Sequence, residues 1–204
     1  MNLAEVSRYY TRKLADHGAS PQGVDWNGAE SQRLRFDQLL RVCEEEREFG
    51  INDIGCGYGA LFDRLTDLGR RCDYLGVDVS PAMIAKAEEL HRGQTACRFL
   101  AGERADRVAD YTVASGIFSV RLSAPDAAWS AHIRETLEVM NAGSTRGFSF
   151  NCLTRYSEAD RMRDDLFYAD PCALFDFCKT RFSRNVALLH DYGLYEFTVL
   201  VRKA

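Results

Sequence analysis

The run Asp53-Ile54-Gly55-Cys56-Gly57-Tyr58-Gly59 sets three glycines at alternate positions directly behind an acid. Glycines so spaced let a ligand come close to backbone N–H groups and to the N-terminus of a following helix. A second acid, Asp78, closes the next apolar stretch 23 residues after Gly55. From that place a carboxylate can accept hydrogen bonds from both hydroxyls of a ribose. Counted as Gly55-x-Gly57-x-x-Ala60, the run also satisfies the dinucleotide fingerprint, so the glycines alone do not choose between adenosine-type ligands. Asp53 tilts the choice, because a negative group there repels a pyrophosphate and suits a ligand that carries an ammonium and a sulfonium. Charge thus favours S-adenosylmethionine.

These residues need a strand, a turn and a helix in that order, and the surrounding pattern supplies them. A short strand is expected over 50–54, a helix over 60–68 and an apolar, β-branched strand over 72–79. Ser80-Pro81 reads as an N-cap followed by proline at the first helical position, with a helix running toward His91-Arg92-Gly93. Further strands are expected over 96–101, 111–115 and 146–152, with helices over 126–140 and 171–180. The last two strands, 185–189 and 195–201, are joined by so short a link that they must be antiparallel. The expectation is an α/β fold: a doubly wound, mostly parallel sheet of seven strands that ends in an antiparallel hairpin. Residues 1–30 read as a helical cap and 31–204 as the main domain, with 31–48 as a surface helix feeding the first strand.

At this point the sequence resembles the class I S-adenosylmethionine-dependent methyltransferases, whose loop of acid, x, Gly, x, Gly, x, Gly is matched by Asp53, Gly55, Gly57 and Gly59. The resemblance extends to Gly76-Val77-Asp78-Val79-Ser80-Pro81-Ala82-Met83, to Gly102-Glu103 and to the closing hairpin. It implies that Asp53 organises the loop near the methionine ammonium and that Gly55, Cys56 and Gly57 pass close to the methionine moiety. It implies further that Asp78 takes the ribose hydroxyls and that Val79 and Met83 pack on adenine. Gly102 and Glu103 would lie near the adenine amino group, where the family often has Asp, and Ser115 beside the sulfonium. The expected activity is methyl transfer to oxygen, nitrogen or sulfur of a small molecule. An NAD-dependent oxidoreductase and a non-catalytic adenosine-cofactor-binding module are the other readings.

The acceptor side is less defined. Residues after the fourth and fifth strands and those of the cap are the candidates, since ligands of open α/β sheets sit at the carboxyl ends of the strands. Tyr10, Trp26, Ser119 and Tyr168 are candidate acceptor contacts, and His17, Tyr9 and Asn151 are candidates for a catalytic role. No Asn-Pro-Pro-aromatic signature follows the fourth strand, so exocyclic base nitrogens are not indicated as acceptors, and Pro171-Cys172 reads as a helix opening. No metal is expected.

Composition bounds the rest. With 204 residues, 46% apolar and 27% charged, the chain is long enough for one globular domain and too ordered in pattern for a disordered segment. A net charge of −4 with scattered basic residues lacks the footprint of a nucleic-acid binder. Seven scattered cysteines include no pair spaced for zinc or redox chemistry. No apolar run approaches the length of a membrane span, and the start of the chain lacks the character of a secretory signal. The expectation is a cytoplasmic enzyme, monomer or homodimer, with a small-molecule partner, no nucleic acid and no membrane.

Overall fold

The structure, a computed structural model, describes residues 3–203. Its strands are β1 (Glu48–Ile54), β2 (Arg71–Asp78), β3 (Cys97–Ala101), β4 (Ala109–Ala114), β5 (Ser144–Thr154), β6 (Tyr168–Ala169), β7 (Asn185–Leu189) and β8 (Glu196–Arg202). Its helices are α1 (Leu3–His17), α2 (Ala29–Leu40), α3 (Ala60–Asp67), α4 (Pro81–Leu90), α5 (Asp126–Ala142) and α6 (Pro171–Arg181). The strand order is β3-β2-β1-β4-β5-β8-β7, with β6 added beside β5. β8 runs antiparallel to both neighbours, and the remaining pairs are parallel.

The doubly wound sheet and the terminal hairpin are as the sequence predicts. The difference is an eighth strand, β6, whose two residues are too few to leave a periodic signal. The expected cap at Ser80 is present, its Oγ accepting from Met83 N, and the helix that Pro171 opens is capped by Asp170, whose Oδ1 accepts from Cys172 N and Ala173 N. β3 passes to β4 through residues 102–108 with no helix between them.

Strand alternation divides the core. On β5, Phe148, Phe150 and Cys152 face one apolar cluster together with Phe197, Val199 and Val201 of β8, against Trp129, Ile133, Leu137 and Met140 of α5. Burying each such aromatic ring contributes about 2–3 kcal/mol. The opposite face carries α2 and α3, where Phe36, Leu40, Leu61, Phe62 and Leu65 pack on Ile51, Tyr74 and Val113. There α2 departs from the expected surface helix. It buries Gln32, Arg35, Phe36, Leu39 and Leu40, because the charge at Arg35 is met by Glu196 of β8. Among the described residues no helix is long and apolar enough to cross a membrane.

Candidate active site

The glycine run leaves β1 and enters α3 through a loop pinned to β2, with Gly55 N and Cys56 N both donating to Val77 O at 2.7 and 3.1 Å. Gly55 has φ +77°, and a Cβ there would stand 2.0 Å from Ile117 Cγ2, so only glycine fits. Asp78 braces the same loop: its Oδ2 accepts from Gly57 N at 2.9 Å and its Oδ1 from Ser80 N at 2.8 Å. A carboxylate has about four acceptor sites, so each oxygen keeps a lone pair for a ligand. Burial raises the Asp78 pKa, and the two backbone donors oppose that rise.

Asp53 lies at the end of β1, 2% exposed, with Tyr74 O–H donating to its Oδ2 at 2.7 Å. Burial pushes its carboxyl up to about 7, a shift that the Tyr74 bond offsets in part and the Asp78 charge adds to. A buried acid held so high answers to a cation, and an ammonium beside it would favour the carboxylate form. Two buried acids thus flank the glycine turn, Asp53 able to meet a cation and Asp78 with lone pairs left to accept further hydrogen bonds.

These groups open into a cavity of about 710 Å³. Asp53, Gly55, Cys56, Gly57, Asp78, Val79, Met83, Gly102, Glu103 and Ser115 all line it, as do Tyr10 and Trp26. The buried Ser115 Oγ has no hydrogen-bond partner among protein atoms. Leu3, Val6, Tyr10, Val24 and Trp26, from α1 and the segment after it, form one wall. This part of the chain is tied to the body by a 2.9 Å hydrogen bond between the hydroxyls of Thr11 and Ser80, and is closed on itself by Asp25, which accepts from Tyr9 O–H at 2.6 Å and pairs with Lys13 at 2.7 Å.

The remaining candidates lie elsewhere. Tyr9 is turned toward Asp25, and His17 is exposed at the end of α1. Ser119 is buried with its Oγ unpartnered, and the Tyr168 hydroxyl oxygen accepts from Arg163 N at 3.0 Å; neither lines the cavity. Asn151 stands behind the wall, where its Oδ1 accepts from Gly116 N at 2.7 Å and its Nδ2 donates to Glu196 Oε2 at 2.8 Å.

Other lining residues carry no signal that the sequence alone makes plain. Gln32 and Phe36 come from α2, and Trp129, His132, Glu135 and Thr136 from α5. Helical spacing among His132, Thr136 and Val139 marks one flank of α5, which adjoins the stripe of Trp129, Ile133, Leu137 and Met140 that packs the core. Burial lowers the His132 pKa. Among the described residues no group of three or more His, Cys, Asp or Glu side chains could hold a metal ion.

Known proteins share both sequence and fold with this chain. Residues 52–142 match the family described as "Methyltransferase domain". A Mycobacterium tuberculosis protein named "Putative methyltransferase Rv1506c" is 60% identical over 165 residues, which span 81% of this chain and 99% of that one. The fold is shared with the magnesium protoporphyrin IX methyltransferase ChlM from Synechocystis PCC 6803, solved with bound SAH (TM-score 0.70, 13% identity, 100% of both chains). It is shared also with the N-methyltransferase NodS from Bradyrhizobium japonicum WM9 in complex with S-adenosylhomocysteine (TM-score 0.67, 16% identity, 97% of both chains). The chain belongs to the class I S-adenosylmethionine-dependent methyltransferases.

Proposed function

We propose that this enzyme methylates oxygen, nitrogen or sulfur of a small molecule that enters beside the cap. The reading rests on one observation: the ten residues named above for the cofactor, together with Tyr10 and Trp26 of the cap, line a single cavity. Asp53 would hold the ammonium, Asp78 the ribose hydroxyls, Val79 and Met83 the adenine faces, and Gly102 and Glu103 the adenine edge. When bound, S-adenosylmethionine supplies a methyl group already activated on a sulfonium, ready for in-line displacement by an acceptor lone pair. What remains for the chain is alignment and the exclusion of water. Residues 1–30 contribute to both as the cap, where Leu3, Val6, Tyr10, Val24 and Trp26 give the cavity an apolar and aromatic side that suits a small organic acceptor.

Two measurements test the reading. Isothermal titration is expected to show micromolar or tighter binding of S-adenosylhomocysteine and none of NAD; the reverse result supports an oxidoreductase. Labelled S-adenosylmethionine incubated with a metabolite extract and read by mass spectrometry is expected to yield a methylated small molecule. Binding without any turnover would leave a cofactor-sensing module.

A further inference from the structure

Five residues from five parts of the chain form a closed ring of contacts behind the cap. The Arg35 guanidinium of α2 lies 4.0 Å from the centre of the Trp26 ring. Its Nε and Nη2 donate to both oxygens of Glu196 at 2.7–2.9 Å. Glu196 Oε2 accepts from Asn151, Asn151 accepts from Gly116 N, and Gly116 returns to Trp26, since a Cβ on Gly116 would stand 2.4 Å from Trp26 Cζ2. Only Trp26 and Gly116 of the five line the cavity.

Arg35, Glu196 and Asn151 are all less than 7% exposed. Burying a charge pair costs about as much desolvation as its attraction returns, so an apolar pair would serve the fold equally well. The guanidinium is also not used to the full: its Nη1 has no partner. What the pair supplies is a flat, fixed plate for the tryptophan. Arginine is suited to that role because its planar fork can bind a carboxylate edge-on while a ring face lies against it.

We propose that Arg35, Glu196 and Asn151 are positioning residues for methyl transfer, holding the Trp26 ring against Gly116 so that the cap stays closed over the bound cofactor. The inference rests on the cofactor-binding reading above, because Gly116 follows Ser115, the residue assigned to the sulfonium end.

The test uses the full chain labelled with 5-fluorotryptophan. The two tryptophans give two fluorine resonances, and Trp26→Leu assigns the one from Trp26. The double variant R35M/E196Q is chosen to spare the fold, because it removes both charges together and leaves an amide oxygen for Asn151. It is expected to shift the Trp26 resonance toward the solvent-exposed position and to speed S-adenosylhomocysteine release about fivefold. Trp26→Leu, which leaves the buried pair in place, is expected to speed release by a similar factor. Adding R35M/E196Q to it is expected to change nothing further, because the pair acts through the ring. Unchanged release and an unchanged resonance in folded R35M/E196Q overturn the proposal, and so does full additivity in the triple variant. If R35M/E196Q does not fold, unchanged release in Trp26→Leu overturns it alone. If the unaltered enzyme fails to bind S-adenosylhomocysteine, the functional reading fails, while the fluorine shift still reports whether the plate holds the ring.

Discussion

The Tyr74 hydroxyl donates to Asp53 Oδ2 at 2.7 Å, joining β2 to the acid that precedes the glycine loop, with both side chains out of contact with water. One hydrogen bond does not replace the hydration that this carboxylate loses, and its pKa stands at about 7. The unfolded chain releases that proton near the ordinary carboxylate value, so the unliganded fold binds more protons between about pH 4 and 7 and loses stability as pH rises through that window. Cofactor affinity moves the opposite way, since the ammonium selects the ionised form. Titration calorimetry across pH 5.5 to 8.5 is expected to show the S-adenosylhomocysteine Kd falling about tenfold per pH unit below 7 and levelling off above it. In Asp53→Asn, thermal melts at pH 8 are expected to show an unliganded protein more stable by about 2 kcal/mol, with weak and pH-independent binding.

Asp78 braces Gly57 and Ser80, and in the proposed function it also holds the ribose diol. Asp78→Ala removes both contributions. The expected outcome is an S-adenosylhomocysteine Kd raised about 100-fold, the loss of two hydrogen bonds to a charged acceptor. Adenosine, which shares the ribose, is expected to lose a similar factor, whereas 2′,3′-dideoxyadenosine, which lacks the diol, is expected to lose only the smaller part that comes from the unbraced loop.

A Cβ at position 55 would stand 2.0 Å from Ile117 Cγ2, a methyl on the branched carbon of that side chain. Gly55→Ala is therefore expected to lower stability by about 2 kcal/mol or more, from the left-handed backbone and the clash together, and to abolish cofactor binding. Truncating the obstacle in Gly55→Ala/Ile117→Ala is expected to return part of the stability, read by thermal melting. A double variant no better than the single one would mean that the backbone alone forbids the change.

Removing one partner of the Arg35–Glu196 pair leaves the other charge buried. Glu196→Ala is expected to cost about 3–5 kcal/mol in urea unfolding. Stability within about 1 kcal/mol of the unaltered protein would show that water reaches Arg35.

The elements around the glycine loop were readable because their signals are local. An acid, spaced glycines, a serine cap and a proline all lie within a few residues of the strand or helix they define, as at Ser80-Pro81. The buried face of α2 was not readable in this way. Arg35 looks like a solvated residue until Glu196 is known to face it, and 161 positions separate the two. The cap poses the same difficulty, since the partner of Trp26 comes from α2 and its neighbour Gly116 from the turn after β4. His132 belongs to a helix whose strongest pattern is the core stripe of Trp129, Ile133, Leu137 and Met140, which hides its other flank.

The helix-free passage from β3 to β4 has a mechanical consequence. It starts at one end of the sheet on its outermost strand and must arrive at the other end, three strands across, a span of about 22 Å. Residues 102–108 can reach about 28 Å when fully drawn out. Glu103 and Arg104 thus sit on a tether with only about 6 Å to spare. The opposite bank of the cavity, lined by Leu3, Val6, Tyr10, Val24 and Trp26, is spanned by no such tether between strands among the described residues.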